Sequence, residues 1–119
     1  MIKALIIPAE GPVELTSIDD TLDTLQGLVG GFIQALPLPE FIDKDGTATA
    51  YINEEGKFDP DCKVNMRATD FLVPGIGLFM GDYISGSLVL CGFDARTGEN
   101  RDVPEGVIKR ARLIEKEAS

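Results

Sequence analysis

The stretch Ala50-Tyr51-Ile52-Asn53-Glu54-Glu55-Gly56-Lys57, followed by an acidic break and then Asn65-Met66-Arg67-Ala68-Thr69, decides the fold class. Thr47 to Ile52 is rich in β-formers and reads as a strand. Asn53-Glu54-Glu55-Gly56-Lys57 fits a type I turn followed by a left-handed glycine, a common hairpin connection. Asp59-Pro60-Asp61 interrupts the chain. Asn65 can then cap a short helix over Met66 to Val73, halted by Pro74-Gly75. A strand and a capped helix in such close succession point to an α+β fold.

Working outward toward the N-terminus, Ile2 to Ile7 is a continuous apolar run ended by Pro8, the pattern of a strand buried on both faces. Ala9-Glu10-Gly11-Pro12 is turn chemistry, and Val13-Glu14-Leu15 alternates like a strand returning along the first. Ser17, with Asp19, Asp20 and Asp23 behind it, marks a helix start. Ile18, Leu22, Leu25, Leu28 and Val29 recur at helical spacing until Gly30-Gly31, so a helix is expected over 18–29. Phe32 to Leu36 is the next strand candidate, ended by Pro37-Leu38-Pro39. The polar segment 40–46 reads as a loop that tucks Phe41 and Ile42 onto the core.

Toward the C-terminus, Gly75 to Gly81 reads as an apolar, glycine-bearing loop. Asp82 to Phe93 is the strongest strand, with a bulge expected at Gly86. Asp94 to Asn100 is a polar turn containing Gly98. Val107, Ile108, Ala111 and Ile114 place an amphipathic helix over 105–117. The expected architecture is a small, mainly antiparallel sheet of about five strands. One helix follows strand 2, a short helix lies near 66–73, and a third closes the chain, all within one domain over 1–119.

The composition restricts function. The 119 residues are 44% hydrophobic and 26% charged, which is ordinary for a globular domain. No apolar run approaches the roughly 20 residues that a membrane span needs. The opening residues lack a signal-peptide cleavage site, so a cytoplasmic protein without membrane contact is expected. Cys62 and Cys91 are read as free thiols. Histidine is absent, which removes the commonest zinc ligand and general base. The net charge is −9; residues 1–60 carry 3 basic and 11 acidic side chains, and residues 61–119 carry 8 and 9. The first half is therefore at −8, and general nucleic-acid binding is not expected.

Asn65, Arg67 and Thr69 form the leading ligand signal. The first turn of a helix carries unpaired amides and a positive dipole, and a guanidinium and a hydroxyl beside it would complete a site for phosphate or carboxylate. Asn53 and Lys57 from the preceding turn extend this corner, and Tyr51 or Phe58 would stack on a base. The same residues also admit a purely architectural reading, with Asn65 as a cap, Arg67 paired to Asp61 or Asp70, and Thr69 packed. Glu54 and Glu55 suggest a metal, but with no third ligand at a defined spacing they read as a solvated tip. Gly30-Gly31 follows a helix and does not open one, so it lacks phosphate-loop geometry. Lys109, Arg110, Arg112 and Lys116 give the last helix a basic side, read either as solvated or as offered to a partner. No base is set against a nucleophile, so the protein is read as a non-enzyme without a cofactor.

Five pieces in order carry a resemblance: Ile7-Pro8-Ala9-Glu10-Gly11, Leu25-Gln26-Gly27-Leu28-Val29-Gly30-Gly31, Asn53-Glu54-Glu55-Gly56-Lys57, Asn65-Met66-Arg67-Ala68-Thr69 and Gly81-Asp82-Tyr83-Ile84-Ser85-Gly86. In these the chain resembles a family of small domains of unknown function from bacteriophages and their actinobacterial hosts. The resemblance spans most of residues 2–93 and implies that 94–119 is an added hairpin and helix. It also implies a phage setting, the host cytoplasm, and an accessory factor that counters host defence. The leading expectation is a binding protein that holds a small anionic ligand such as a nucleotide, completed by a second copy as a homo-oligomer. The alternative is an acidic surface that blocks a host protein or mimics nucleic-acid charge.

Overall fold

The structure is a computed structural model that describes residues 1–43, 46–72 and 83–118, of which 39–43, 46, 57 and 116–118 are described by backbone alone. Its fold is α+β. An antiparallel sheet runs in the order β2-β1-β7-β4-β3 (β1 Ile2–Ile7, β2 Glu14–Ile18, β3 Ile33–Asp43, β4 Gly46–Asn53, β7 Leu88–Asp94). The short β8 (Glu99–Arg101) takes over from β1 as the neighbour of β7 at its far end. A separate two-stranded piece joins β5 (Val64–Asn65) to β6 (Ile84–Ser85). Helices α2 (Met66–Leu72) and α3 (Glu105–Ala118) cover one face of the sheet, and α1 (Leu22–Val29) lies on the other.

The apolar run of β1 is explained by this layering. Leu5 and Ile7 point into the core beneath α2 and α3, beside Phe71, Leu72, Val107 and Ala111. Ala4 and Ile6 point the other way, toward Leu25 and Val29 of α1. A strand with helices on both faces has no solvent side, so alternation disappears from its sequence. β4 divides its side chains in the same manner: Ala48 and Ala50 join the α2/α3 core, and Tyr51 joins the α1 core.

Several elements differ from the expectations above. The expected helix over 18–29 is α1 at Leu22–Val29, capped by Thr21, whose Oγ1 accepts from the Thr24 amide at 3.2 Å. Ile18 instead ends β2 opposite Ile2 and is buried on the α1 side. β3 does not stop at Pro37; it continues to Asp43, with Pro37 opposite Thr49 and a register shift between Leu38 and Asp43. β3 is an edge strand, so a proline facing the open edge removes no ladder bond. The expected loop over 40–46 is thus largely strand, while the inward tuck of Phe41 and Ile42 concerns side chains outside the described part.

The turn after β4 is not a hairpin. It leads through Glu54 and Glu55 into a 3-10 turn at Gly56–Phe58, and β4 pairs back onto β3 and onto β7. Gly56 is not left-handed. It is required by proximity, because a Cβ there would stand 2.8 Å from the Ser85 carbonyl oxygen. The long strand expected over 82–93 is split into β6 and β7, with Gly86 at φ +83° breaking the run between two different sheets. The loop expected over Gly75–Gly81 and the helix stop at Pro74-Gly75 lie outside the described residues. Among the described residues no helix is long and apolar enough to cross a membrane.

Candidate functional site

The corner expected to bind an anion is built as a joint of the fold. Asn65 is 0% exposed. Its Oδ1 accepts from the Ala68 amide at 3.0 Å, which is the helix cap read from the sequence. Its Nδ2 donates to the carbonyls of Ile7 and Gly86, each at 2.8 Å, and so ties β1 to the chain entering β7. Thr69 Oγ1 donates to the Asn65 carbonyl at 2.8 Å and accepts from the Ile84 amide at 2.9 Å. Every side-chain polar atom of these two residues is engaged by the chain itself and both residues are buried, so neither is presented to a ligand.

Arg67 is engaged too, though with neither Asp61 nor Asp70. Its Nη2 donates to the Pro8 carbonyl at 2.6 Å, and its Nη1 lies 3.7 Å from Glu115 Oε2 of α3. The same Glu115 oxygen accepts from the Val13 amide at 2.8 Å. The guanidinium side chain is 21% exposed and joins α2 to the β1–β2 connection and to α3. On α3, Arg110 likewise turns inward: Nε donates to the Phe71 carbonyl at 2.9 Å, and its guanidinium carbon sits 5.2 Å from the Phe71 ring centre.

Tyr51 and Asn53 stand on the α1 side of the sheet, apart from the α2 joint. The Tyr51 hydroxyl donates to Asn100 Oδ1 at 3.0 Å, and Asn100 Nδ2 donates to Asp20 Oδ1 at 2.8 Å. Burial raises the phenol above its usual value, although the bond to Asn100 opposes the shift. Asn53 Oδ1 accepts from the Glu55 amide at 2.9 Å, and Nδ2 donates to the Val29 carbonyl at 3.4 Å. The side chain of Lys57 lies outside the described part. The five of these residues whose side chains are described are therefore divided between the two faces of the sheet.

Asn53 instead belongs to a cleft of about 340 Å³ at the C-terminal end of α1. Gly30, Gly31 and Phe32 line it on one side, and Asn53, Glu55, Phe58 and Asp59 on the other. Gly30 ends the helix in the left-handed conformation at φ +86°, and both glycine amides donate to the Gln26 carbonyl. The Glu54 amide donates to the Phe32 carbonyl at 2.8 Å, which holds the turn against the start of β3. Phe32 is 66% exposed and Phe58 is 86% exposed. Phe58 was legible from sequence as a stacking residue; Phe32 was read only as the first residue of a strand.

Among the described side chains the electrostatics of this cleft are one-sided. The last turn of α1 contains no basic residue, so its carbonyl end is met by the amides of Gly30, Gly31 and Asn53 and by no cation of its own. Glu55 and Asp59 add carboxylates, and none of the described side chains lining the cleft is cationic. Cys62 lies behind Asn53, with Sγ 3.7 Å from Asn53 Nδ2 and 3.9 Å from Asp59 Oδ2. Burial first, and then Asp59 and Asp61, push this thiol up, while burial drives Cys91 to about 12. Both thiols are free and held protonated, the opposite of an activated nucleophile.

A second concavity, of about 410 Å³, lies beside Ile2, Asn100, Arg101 and Asp102. Its one cation is already paired, because Arg101 Nη2 donates to Asp94 Oδ2. Among the described residues no group of three or more His, Cys, Asp or Glu side chains is arranged to hold a metal ion.

The chain belongs to the family described as a domain of unknown function (DUF3846), whose model matches residues 2–116. The match takes in α3, beyond the residues 2–93 that carried the resemblance, so the helix that clasps Arg67 through Glu115 lies within the family's span. No curated protein and no solved structure matches the chain.

Proposed function

We propose that the protein is a non-catalytic binding protein that docks a basic segment of a protein partner at the cleft between the end of α1 and the turn at 54–59. The observation that carries this reading is the pair of exposed rings, Phe32 and Phe58, set among carboxylates on one concave surface. Single exposed apolar side chains are ordinary, but two exposed phenylalanines bordering one concavity suit a contact surface. The charge of −8 in residues 1–60 supports a basic partner over an anion. A nucleotide phosphate at this cleft would face two carboxylates and a helix C-terminus. The phage setting implied by the motif order accords with an accessory factor that caps a host enzyme in the cytoplasm, as a monomer or as a homo-oligomer.

The test is binding of a fluorescent arginine- and lysine-rich peptide to the full chain at low and high salt, beside a panel of mononucleotides and cyclic dinucleotides. The expected result is peptide binding that weakens with salt and is lost in Phe58→Ala, with no nucleotide bound. Nucleotide binding that survives Phe58→Ala and is lost in Arg67→Ala would return the function to the α2 corner. Absence of peptide binding would remove the proposal.

A further inference from the structure

The cleft at the end of α1 has three properties that together select one kind of side chain, and the inference drawn from them rests on the docking reading above. It lies at a helix C-terminus without its customary cation, it has carboxylates on one wall, and it is bordered by two exposed phenylalanine rings. Helix C-termini are ordinarily compensated by Lys, Arg or His in the last turn, and α1 has none there. An aromatic face attracts a cation through its quadrupole. At about 340 Å³ the space is near the lower end of ligand pockets and suits a single long side chain better than a larger group.

We infer that the cleft receives one arginine side chain of the partner, its guanidinium stacked against Phe32 or Phe58 and its N–H groups directed at Glu55 and at the carbonyl end of α1. Arginine is favoured over lysine because a planar, weakly hydrated guanidinium can stack on a ring and bond a carboxylate in the same pose. The local backbone is prepared for such a guest. A Cβ on Gly31 would approach the Asn53 amide to 3.0 Å, so glycine lets that side chain pack close and form the floor of the cleft. Asp59 Oδ1 already accepts from the Asp61 amide at 2.9 Å, which fixes that carboxylate in orientation without neutralising it. Glu55 is exposed and held through its backbone, its amide by Asn53 and its carbonyl by the Phe58 amide, which leaves its side chain as the adaptable partner.

The experiment uses the full chain and four basic peptides that are identical except at one central position, which holds arginine, lysine, citrulline or norleucine. Calorimetry gives the affinities, and two-dimensional NMR follows the backbone amides of Gly30, Gly31 and Phe32. The arginine peptide is expected to bind best and to move those three amides. Lysine should weaken binding a few-fold, and citrulline, which keeps shape and loses charge, by about tenfold or more. Phe58→Leu and Glu55→Gln should each remove most of the arginine preference. Both positions are exposed, and thermal melting of the variants checks that the fold is intact. If citrulline or norleucine binds as tightly as arginine while the three amides still move, the arginine inference fails and the docking reading stands. If a peptide binds without moving them, or none binds, both fail.

Discussion

The α2 joint and the α1 cleft are each a helix end surrounded by polar residues, and they have opposite characters. At the joint every polar atom of Asn65 and Thr69 finds a partner in the chain itself, and Arg67 is clasped by Pro8 and Glu115. At the cleft two rings stand in solvent and the helix terminus lacks a cation. The difference teaches that a dense run of polar residues in sequence marks a place where the fold is being connected as readily as a place where a ligand binds. Satisfaction of hydrogen bonds separates the two cases.

The sharpest way to break this comparison is to remove the joint's central residue. Asn65→Ala orphans the Ile7 and Gly86 carbonyls and the Ala68 amide, and should lower stability by about 3 kcal/mol or more in urea denaturation. If the loss were under about 1 kcal/mol, the joint would not be the structural member described. Arg67→Ala comes next. It loses a charge-assisted bond to the Pro8 carbonyl and should cost about 1–2 kcal/mol, with the peptide affinity of the folded protein unchanged. Loss of peptide binding in this variant, with the fold retained, would move the site back to α2.

A smaller effect is expected at acid pH. The Asp94 carboxyl is held below its usual value first by the Arg96 amide, and then by Arg101 and the Arg96 guanidinium, while burial opposes the shift. A carboxyl lowered in the folded state stabilises above its unfolded pKa of about 3.9, and that contribution is lost as pH falls through the folded value. Asp94→Asn should therefore flatten the melting temperature against pH below about 4 and leave the cleft's peptide affinity intact at neutral pH. The smallest expected effect on stability sharpens the contrast from the other side. Phe58→Ala should change unfolding free energy by no more than about 0.5 kcal/mol while abolishing peptide binding. A large stability loss here would show that the ring serves the core.

Local signals are legible in the sequence itself. Asn65 as a cap, a helix following it, the doubly buried β1 and the amphipathic α3 depend on periodicity and on side chains acting on their own neighbours. Elements whose limits are set by distant partners were not readable. β2 keeps Ile18 because Ile2 lies opposite it, and β3 passes through Pro37 because it occupies an edge. The cleft is half legible in the sequence: Phe58 and Asn53 read as candidate contacts, but Phe32 follows a double glycine and reads as the start of a strand. Only the packing of the turn at 54–59 against the end of α1 places those residues around one space.

Composition, periodicity and capping chemistry by themselves determined an α+β chain with three helices, a strongly acidic first half and no histidine, since those properties reside in single residues and short spacings. The tertiary structure alone decided that Arg67 reaches across 59 positions to the Pro8 carbonyl. It also decided that the two phenylalanines at the end of α1 remain in water. The physical reason is that a hydrogen bond or a buried face is a property of two surfaces brought together, and the partner surface is not encoded near either residue.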